Sequence, residues 1–464
     1  MQLMDVLNKV YDVLWGAPML ILLVATHLFL TFRTRFIQRY TFKAIKLSVT
    51  PDKQASGDVS SFGALATALA ATIGTGNIVG VATAVASGGP GAVFWCWLTG
   101  LFGMATKYGE GLLAVKYRVK TARGTMLGGP MYALENGLKQ KWLGIAFAFF
   151  AGLACFGIGN MTQGNSISVM VQENFHVPTW ITGAILTVGT GCVIIGGVKS
   201  IAKVCEKLVP FMAGLYIIGC LVICVINGPY ILPALKLIVT SAFTERAMGG
   251  GFVGSTMILA LRWGVARGLF TNESGLGSAP IADAAAQTRN PVRQALVSMS
   301  GVFWDTIVVC AMTGIVIVTS IMKYPEQMVD STGYTLQGGS LSTQAFNTIP
   351  VIGPIVLTVG LITFAWSTIL GWSYYGEKCW EYLVGRKAIM PFRIIWTIVV
   401  FIGSVTALDV VWRIADILNG LMAWPNCVAL LGLSGVIVSE TRKYLWNHNM
   451  EAFSEDEIRV VEDR

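Results

Sequence analysis

The residues most suggestive of chemistry are three glycines, Gly74, Gly76 and Gly80, set among Thr72, Thr75 and Asn77 in the run ATIGTGNIVG (71–80). A glycine-rich turn can cradle a phosphate. A dinucleotide fingerprint, however, needs G-x-G-x-x-G after a strand and at the opening of a helix. Here the spacing is G-x-G-x-x-x-G, and the flanks ALATALAA and VATAVA offer no strand. Gly76 and Gly80 form a small-xxx-small pair, which accounts for close helix packing but not for the polar residues between them. The remaining reading is an interruption in an apolar helix. Backbone groups stranded by such a break are tolerated in hydrocarbon only where they line a cavity. The half-helix starting near Gly76 turns free N–H groups and a positive dipole end toward the break, which suits a carboxylate. The carbonyls that end the first half-helix, from Ala70 to Ile73, suit a cation or an ammonium group. No charged residue occurs between Ser61 and Ser87. A ligand carrying both charges, with a co-bound cation, fits better than a phosphate.

The second half of the chain repeats the pattern. SGLGSAPIADAAA echoes IGTGNIVGVATAV, and Gly275 and Gly277 are offset by 201 from Gly74 and Gly76 (275 − 74 and 277 − 76). Interrupted helices at corresponding positions of two inverted halves point to the midplane site of a transporter. A channel would instead repeat pore-lining residues on several helices. A membrane enzyme would need a nucleophile–base set or a metal cluster, and the apolar segments offer neither. His27, His176 and His448 are scattered, and the nine cysteines contain no C-x-x-C pair and read as packing thiols. Glu273 adjoins the second break, where an intramembrane acid is costly and usually functional. Its other reading is a structural pair with Arg267 or Arg262. Asp305, Asp409, Arg413 and Asp416 are candidates for structural or gating ion pairs.

The elements that must carry these residues are membrane helices. The chain has 464 residues, 54% hydrophobic and only 12% charged, about half the ~25% charge of a soluble domain. About eleven runs reach the ~20 residues that span a bilayer, near 14–32, 61–86, 90–115, 142–173, 178–196, 207–227, 252–286, 292–321, 351–384, 392–408 and 411–438. The first run lacks a basic leader and a small-residue cleavage site, so it reads as a retained helix. Basic clusters fall on alternate sides: 33–53, 116–141, Lys199 and Lys203, Arg289 and Arg293, Arg386 to Arg393, and Arg442–Lys443. The positive-inside rule places them in the cytoplasm, with the N-terminus outside and the C-terminus inside. These flanks explain the net charge of +8 without nucleic acid. The expected organisation is an N-terminal helix and basic linker (1–60), a five-helix block (61–227), an outer connection (228–251), a second, inverted block (252–438) and a solvated cytoplasmic tail (439–464). The stretches near 228–250 and 323–349 read as polar loops.

The runs ALAATIGTGNIVGVATA, GGPGAVFWCWLTGLFGMATKYGE, FTNESGLGSAPIA and GWSYYGEKC resemble the alanine or glycine:cation symporter family over about 14–440. That family is similar to the leucine-transporter fold, an all-α membrane architecture of two inverted five-helix repeats with broken first helices, here with one extra N-terminal helix. The resemblance implies a non-enzymatic secondary transporter, taking up alanine or glycine with sodium by alternating access. It implies that Thr75, Gly76 and Asn77 hold the substrate, that Gln163 faces it, that Phe270 and the turn Asn272–Gly275 close the other side, and that Trp372 caps a small side-chain pocket. It also implies a sodium site of Ser367 and Thr368 with the carbonyls of Ala70 and Ile73. Proton-coupled relatives can place a lysine there from the fifth core helix, which here has only Lys207, near its cytoplasmic end. Proton-coupled or uncoupled transport on the same fold is the alternative. The expected partners are alanine or glycine and membrane lipid, a monomer is compatible with this, and the expected location is a prokaryotic plasma membrane.

Overall fold

A computed structural model describes residues 3–52, 54–244, 257–331, 335–350 and 352–462. The start of the expected second block at 252 and most of the connection after 244 lie outside these residues. The structure is helical almost throughout. Among the described residues, seven helices are long and apolar enough to cross a membrane, and a bent pair adds one more. Exposed Ile185, Val188, Val225 and Leu232 stud the outer surface, as lipid-facing helices require. Large side chains such as Tyr108, Tyr216, Phe147 and Trp396 fill the interior.

The bent pair is the first glycine break. Ser61–Thr72 and Gly76–Gly88 meet at 52°. Ser60 caps the first half by accepting from the Gly63 N–H at 2.8 Å. Ile73 ends it in an extended conformation, with φ −75° and ψ 92°, which takes its carbonyl out of the helical ladder. The second half opens with a π-helical turn over Gly76–Gly80. The second break is longer. The helix Met257–Asn272 stops, and helix resumes only at Pro280–Asp283. Glu273, Gly275 and Gly277 between them have φ of 53°, 91° and 87°.

The two glycine pairs thus share a spacing for different reasons. Gly275 and Gly277 adopt the left-handed backbone that glycine tolerates without strain. Gly74 and Gly76 are absent from the positive-φ residues. They serve close approach: a Cβ on Gly74 would lie 2.7 Å from Thr368 Oγ1, and one on Gly76 3.0 Å from Thr271 Cγ2.

Three expectations need correction. The stretch after Gly228 is not a polar loop but a helix, Gly228–Ser241, begun by Pro229. The helix Gly338–Asn347 interrupts the second supposed loop, and Ser342 Oγ donates to the Ile78 carbonyl beside the first break at 3.0 Å. The fifth span of the first block runs over Gly197–Ile226, so Lys199 and Lys203 are helical rather than in a loop. The tail is largely exposed to solvent, as expected, but it is also docked. Val460–Val461 pairs parallel with the strand Val119–Thr121, which also pairs antiparallel with Met126–Leu127. Its acids find the basic loops: Asp456 meets Lys116 at 2.5 Å and Glu451 meets Arg289 at 2.7 Å.

On that same face the two broken helices are tied together. The N–H groups of Asp58 and Val59 donate to the Ala285 carbonyl at 2.8 and 3.2 Å, and the Gln287 N–H donates to the Val59 carbonyl at 2.8 Å. The buried Arg118 guanidinium donates to the carbonyls of Ala284, Ala286 and Ser56. Arg289 grips Asp52 with its Nε and Nη2. Burial pushes the Asp52 carboxyl up, but these bonds and the charges of Arg289 and Arg293 outweigh it and hold the group below its usual range.

Candidate functional site

A small cavity lies between the breaks. Its wall is Ala71, Thr72, Gly74, Thr75 and Gly76 from the first, Phe270, Thr271 and Glu273 from the second, and Ile158, Gln163, Thr368, Trp372 and Asn419 from helices packed around them. Its volume is ≈ 20 Å³, on the scale of one or two water molecules. Only a small ligand could enter without large rearrangement.

Of the eight substrate-contact residues expected, Thr75, Gly76, Gln163, Phe270 and Trp372 line this cavity. Gln163 sits just after a π-helical turn, Gly157–Met161, a distortion frequent at functional sites. Its Nε2 donates to the Ile158 carbonyl at 2.9 Å, and its Oε1 is buried without a hydrogen-bond partner. Trp372 is buried with the base of its side chain against Gly159, where a Cβ would come within 2.2 Å of the Trp372 Cβ. Its Nε1 donates to Glu273 Oε1 at 3.1 Å.

Asn77, Asn272 and Gly275 are placed differently. They stand behind the cavity wall and hold the breaks in shape. Asn77 Oδ1 accepts from the Gly74 N–H at 2.9 Å, and its Nδ2 donates to Asp305 Oδ1 at 2.7 Å. Asn272 Oδ1 accepts from the Ser274 N–H at 2.9 Å, and its Nδ2 donates to Thr306 Oγ1 at 3.3 Å. Thr306 in turn donates to Asp305 Oδ2 at 2.7 Å. Gly275 donates its N–H to Glu110 Oε1 at 2.9 Å and accepts from Asn426 Nδ2 at 2.9 Å. A short polar side chain beside a glycine can satisfy the local backbone instead of a ligand, as Asn77 and Asn272 do here.

Glu273 does not pair with an arginine as one reading expected. Its carboxylate accepts from Trp372 Nε1 and Ser278 Oγ. Asp305 is absorbed by the polar relay between the breaks. Asp416 lies in the field of Arg267 and Arg413, and the Arg413 guanidinium stacks on Tyr11 at 4.3 Å. The Asp409 side chain lies outside the described residues. Sequence reasoning missed Asn419, whose Oδ1 is buried and unpartnered at the cavity. It also missed Thr271 and Ile158. Only the apolar context of Asn419 within a membrane helix could have flagged it.

The cation residues converge in part. Ser367 Oγ lies 3.1 Å from the Ala70 carbonyl. Both hydroxyls also donate back to the Phe364 carbonyl at 2.9 Å, which leaves their lone pairs as acceptors. Thr368 faces the cavity beside Gly74. Neutral hydroxyl and carbonyl oxygens form a hard donor set suited to a small monovalent cation. No hydrogen bond joins Ile73, the fourth expected ligand, to this group; its extended backbone turns its carbonyl out of the helical ladder.

The sequence and the fold both have known counterparts. Residues 1–458 match the model of the sodium:alanine symporter family. The sodium/alanine symporter AgcS of Methanococcus maripaludis is 52% identical over 451 residues, covering 96% of this chain and 98% of that one. An uncharacterized transporter of Haemophilus influenzae is 51% identical, covering 99% and 100%. Among solved structures, MhsT in complex with L-phenylalanine superposes with a TM-score of 0.55 at 15% identity, covering 83% of this chain and 98% of that one. That likeness establishes the leucine-transporter fold. These proteins are transporters, not enzymes. Matched end to end by the family and by its relatives, the chain belongs to the sodium:alanine symporter family.

Proposed function

We propose that this transporter carries alanine and glycine together with Na⁺ by alternating access in a prokaryotic plasma membrane, with its N-terminus outside and its C-terminus in the cytoplasm. The observation that carries this reading is the small cavity between the two breaks, with free acceptors on one side and a half-helix N-terminus on the other. The substrate carboxylate meets the N–H groups at Thr75–Gly76, where the break removes the preceding turn. The ammonium meets Gln163 Oε1, with Asn419 Oδ1 as a second acceptor. Phe270, Ile158 and Trp372 leave room for a methyl group or a hydrogen. Na⁺ binds at Ser367, Thr368, Ala70 and Ile73. The name of the Methanococcus relative supports alanine as substrate and sodium as the coupling ion.

Residues 61–227 and 252–438 act as the inverted repeats, preceded by a peripheral helix and linker (1–60), joined by 228–251 and followed by the tail (439–464). The ties among residues 56–59, 284–287, Asp52 and Arg289 shut the cytoplasmic path. Opening inward must break them. The test is concentrative [¹⁴C]alanine uptake into proteoliposomes under an imposed Na⁺ gradient. Accumulation driven equally well by a proton gradient without sodium rejects the coupling ion. Equilibration without accumulation rejects symport.

A further inference from the structure

Outside the cavity wall, the second break is held by a charged group that substrate and Na⁺ binding leave unexplained. Lys107 and Glu110 lie one turn apart on the helix Gly91–Lys116, and each is 3% exposed. Lys107 Nζ stands 3.6 Å from Glu110 Oε2. The other carboxylate oxygen, Oε1, accepts from the Gly275 N–H at 2.9 Å and from Asn426 Nδ2 at 2.7 Å. Glu110 therefore fixes the residue on which the second break turns. Lys107 Nζ and Glu110 Oε2 make no hydrogen bond within the protein. Nor do Ser274 Oγ and His27 Nε2, which lie 3.1 and 3.5 Å from where a Cβ on Gly103 would be.

The field of Lys107 extends further, to Glu273, Asp283 and Asp305. Each of these acids otherwise rests on neutral donors. Trp372 and Ser278 serve Glu273, Gln294 and Ser298 serve Asp283, and Asn77 and Thr306 serve Asp305. A carboxylate inside a membrane needs an opposite charge nearby. A mobile cation can supply it, and so can a tethered ammonium. A pair held for packing alone would have its hydrogen bonds closed. This one is buried and open, and Glu110 ties it to the turn of the second break.

We propose that Lys107 is a built-in counter-cation for the second break. It stands in for a second coupling ion, so that one Na⁺ accompanies each amino acid. The inference rests on the sodium-symport reading above and adds its stoichiometry. The first break, lined by neutral oxygens, takes the mobile ion. The second carries its own positive charge.

The test measures ²²Na⁺ and [¹⁴C]alanine influx together in proteoliposomes holding the full chain. The wild type should give a flux ratio and a sodium Hill coefficient both of about one. Lys107→Met strands the Glu110 carboxylate, which then recruits Na⁺ from solution. Its Hill coefficient should move toward about two and its half-saturating Na⁺ rise about ten-fold or more, with the alanine KM at saturating Na⁺ little changed. Lys107→Arg should keep the wild-type ratio. Lys107→Met with Glu110→Gln should restore a shallow sodium dependence, since the stranded charge is gone. A wild-type ratio of two overturns the proposal without any variant, and so does Lys107→Met with wild-type sodium dependence. Alanine influx with no ²²Na⁺ at all is a different result, and it rejects the symport reading itself.

Discussion

Gly74→Ala tests the cation cage without removing any of its ligands. Gly74 does not have a positive φ, so an alanine there meets no backbone penalty. Its Cβ would lie 2.7 Å from Thr368 Oγ1 and 3.8 Å from Thr368 Cβ. The first distance is well inside contact, and the hydroxyl is the part able to yield, by rotating about χ1. Rotation removes one oxygen from the proposed Na⁺ site and breaks the 2.9 Å bond to the Phe364 carbonyl. An interaction with a charged partner is worth about 1.5–3 kcal/mol, against about 1 kcal/mol for the neutral bond. At 1.4 kcal/mol per decade, half-saturating Na⁺ should rise by roughly 10- to 100-fold, while thermal stability falls only slightly. The assay is alanine uptake against Na⁺ concentration, with a melting curve on the same preparation. Thr368→Ala should reproduce the effect, and the double variant should be no worse than either single one, because both remove the same oxygen. Wild-type sodium dependence in Gly74→Ala, or full additivity in the double variant, would refute the placement of the cation.

Three further outcomes are expected. In Gly76→Val the new Cβ starts 3.0 Å from Thr271 Cγ2 and 3.6 Å from Phe270, and its methyls fill the cavity. Alanine binding by calorimetry should vanish while the protein still elutes as a single folded species, and normal affinity would remove Gly76 from the site. Trp372→Ala should admit leucine and cost about 3–5 kcal/mol of stability, whereas wild-type protein that takes up leucine as readily as alanine would contradict a size-limited pocket. The Asp52 carboxyl sits below its usual value of 3.8 in the fold, so its bond to Arg289 stabilises above that value and is lost as pH falls through the lowered one. The melting temperature should drop more steeply below about pH 4 in the wild type than in Asp52→Asn, and parallel slopes would show that the lock contributes nothing.

The membrane class, the helical fold and the existence of both breaks were legible because each rests on a local signal. Apolar length gives a span, and glycine among polar residues gives an interruption. The roles of the glycines were not legible. Gly74 and Gly275 sit 201 residues apart in matching motifs, yet one serves close packing and the other a positive φ. Composition cannot separate these, because glycine answers both needs. The helix Gly228–Ser241 was hidden by its prolines and flanking polar residues. The docking of the tail was not legible because its acidic run gives no sign of the basic residues it meets. Asn419 carries no motif at all. It reaches the cavity only through the packing of its helix.

The relay between the breaks explains why two interruptions so far apart in sequence can act as one device. Asn77 braces the first break through the Gly74 N–H and reaches Asp305. Asn272 braces the second through the Ser274 N–H and reaches Thr306. Asp305 and Thr306 are neighbours in one π-helical turn, Phe303–Cys310, and are bonded to each other. All four side chains are buried, so a shift of either break that broke this chain would leave polar groups unpaired where water cannot serve them. Moving both breaks together keeps the bonds. A carboxylate bound at Thr75–Gly76 would thus be linked to the turn at Ser274 through the bonds Asn77–Asp305, Asp305–Thr306 and Thr306–Asn272, besides any direct contact with Phe270 and Thr271. The proposed substrate site is walled by Phe270 and Thr271 of the second break as well as by Thr75 and Gly76 of the first, and the relay is a second route by which its occupancy could bias the other half of the molecule.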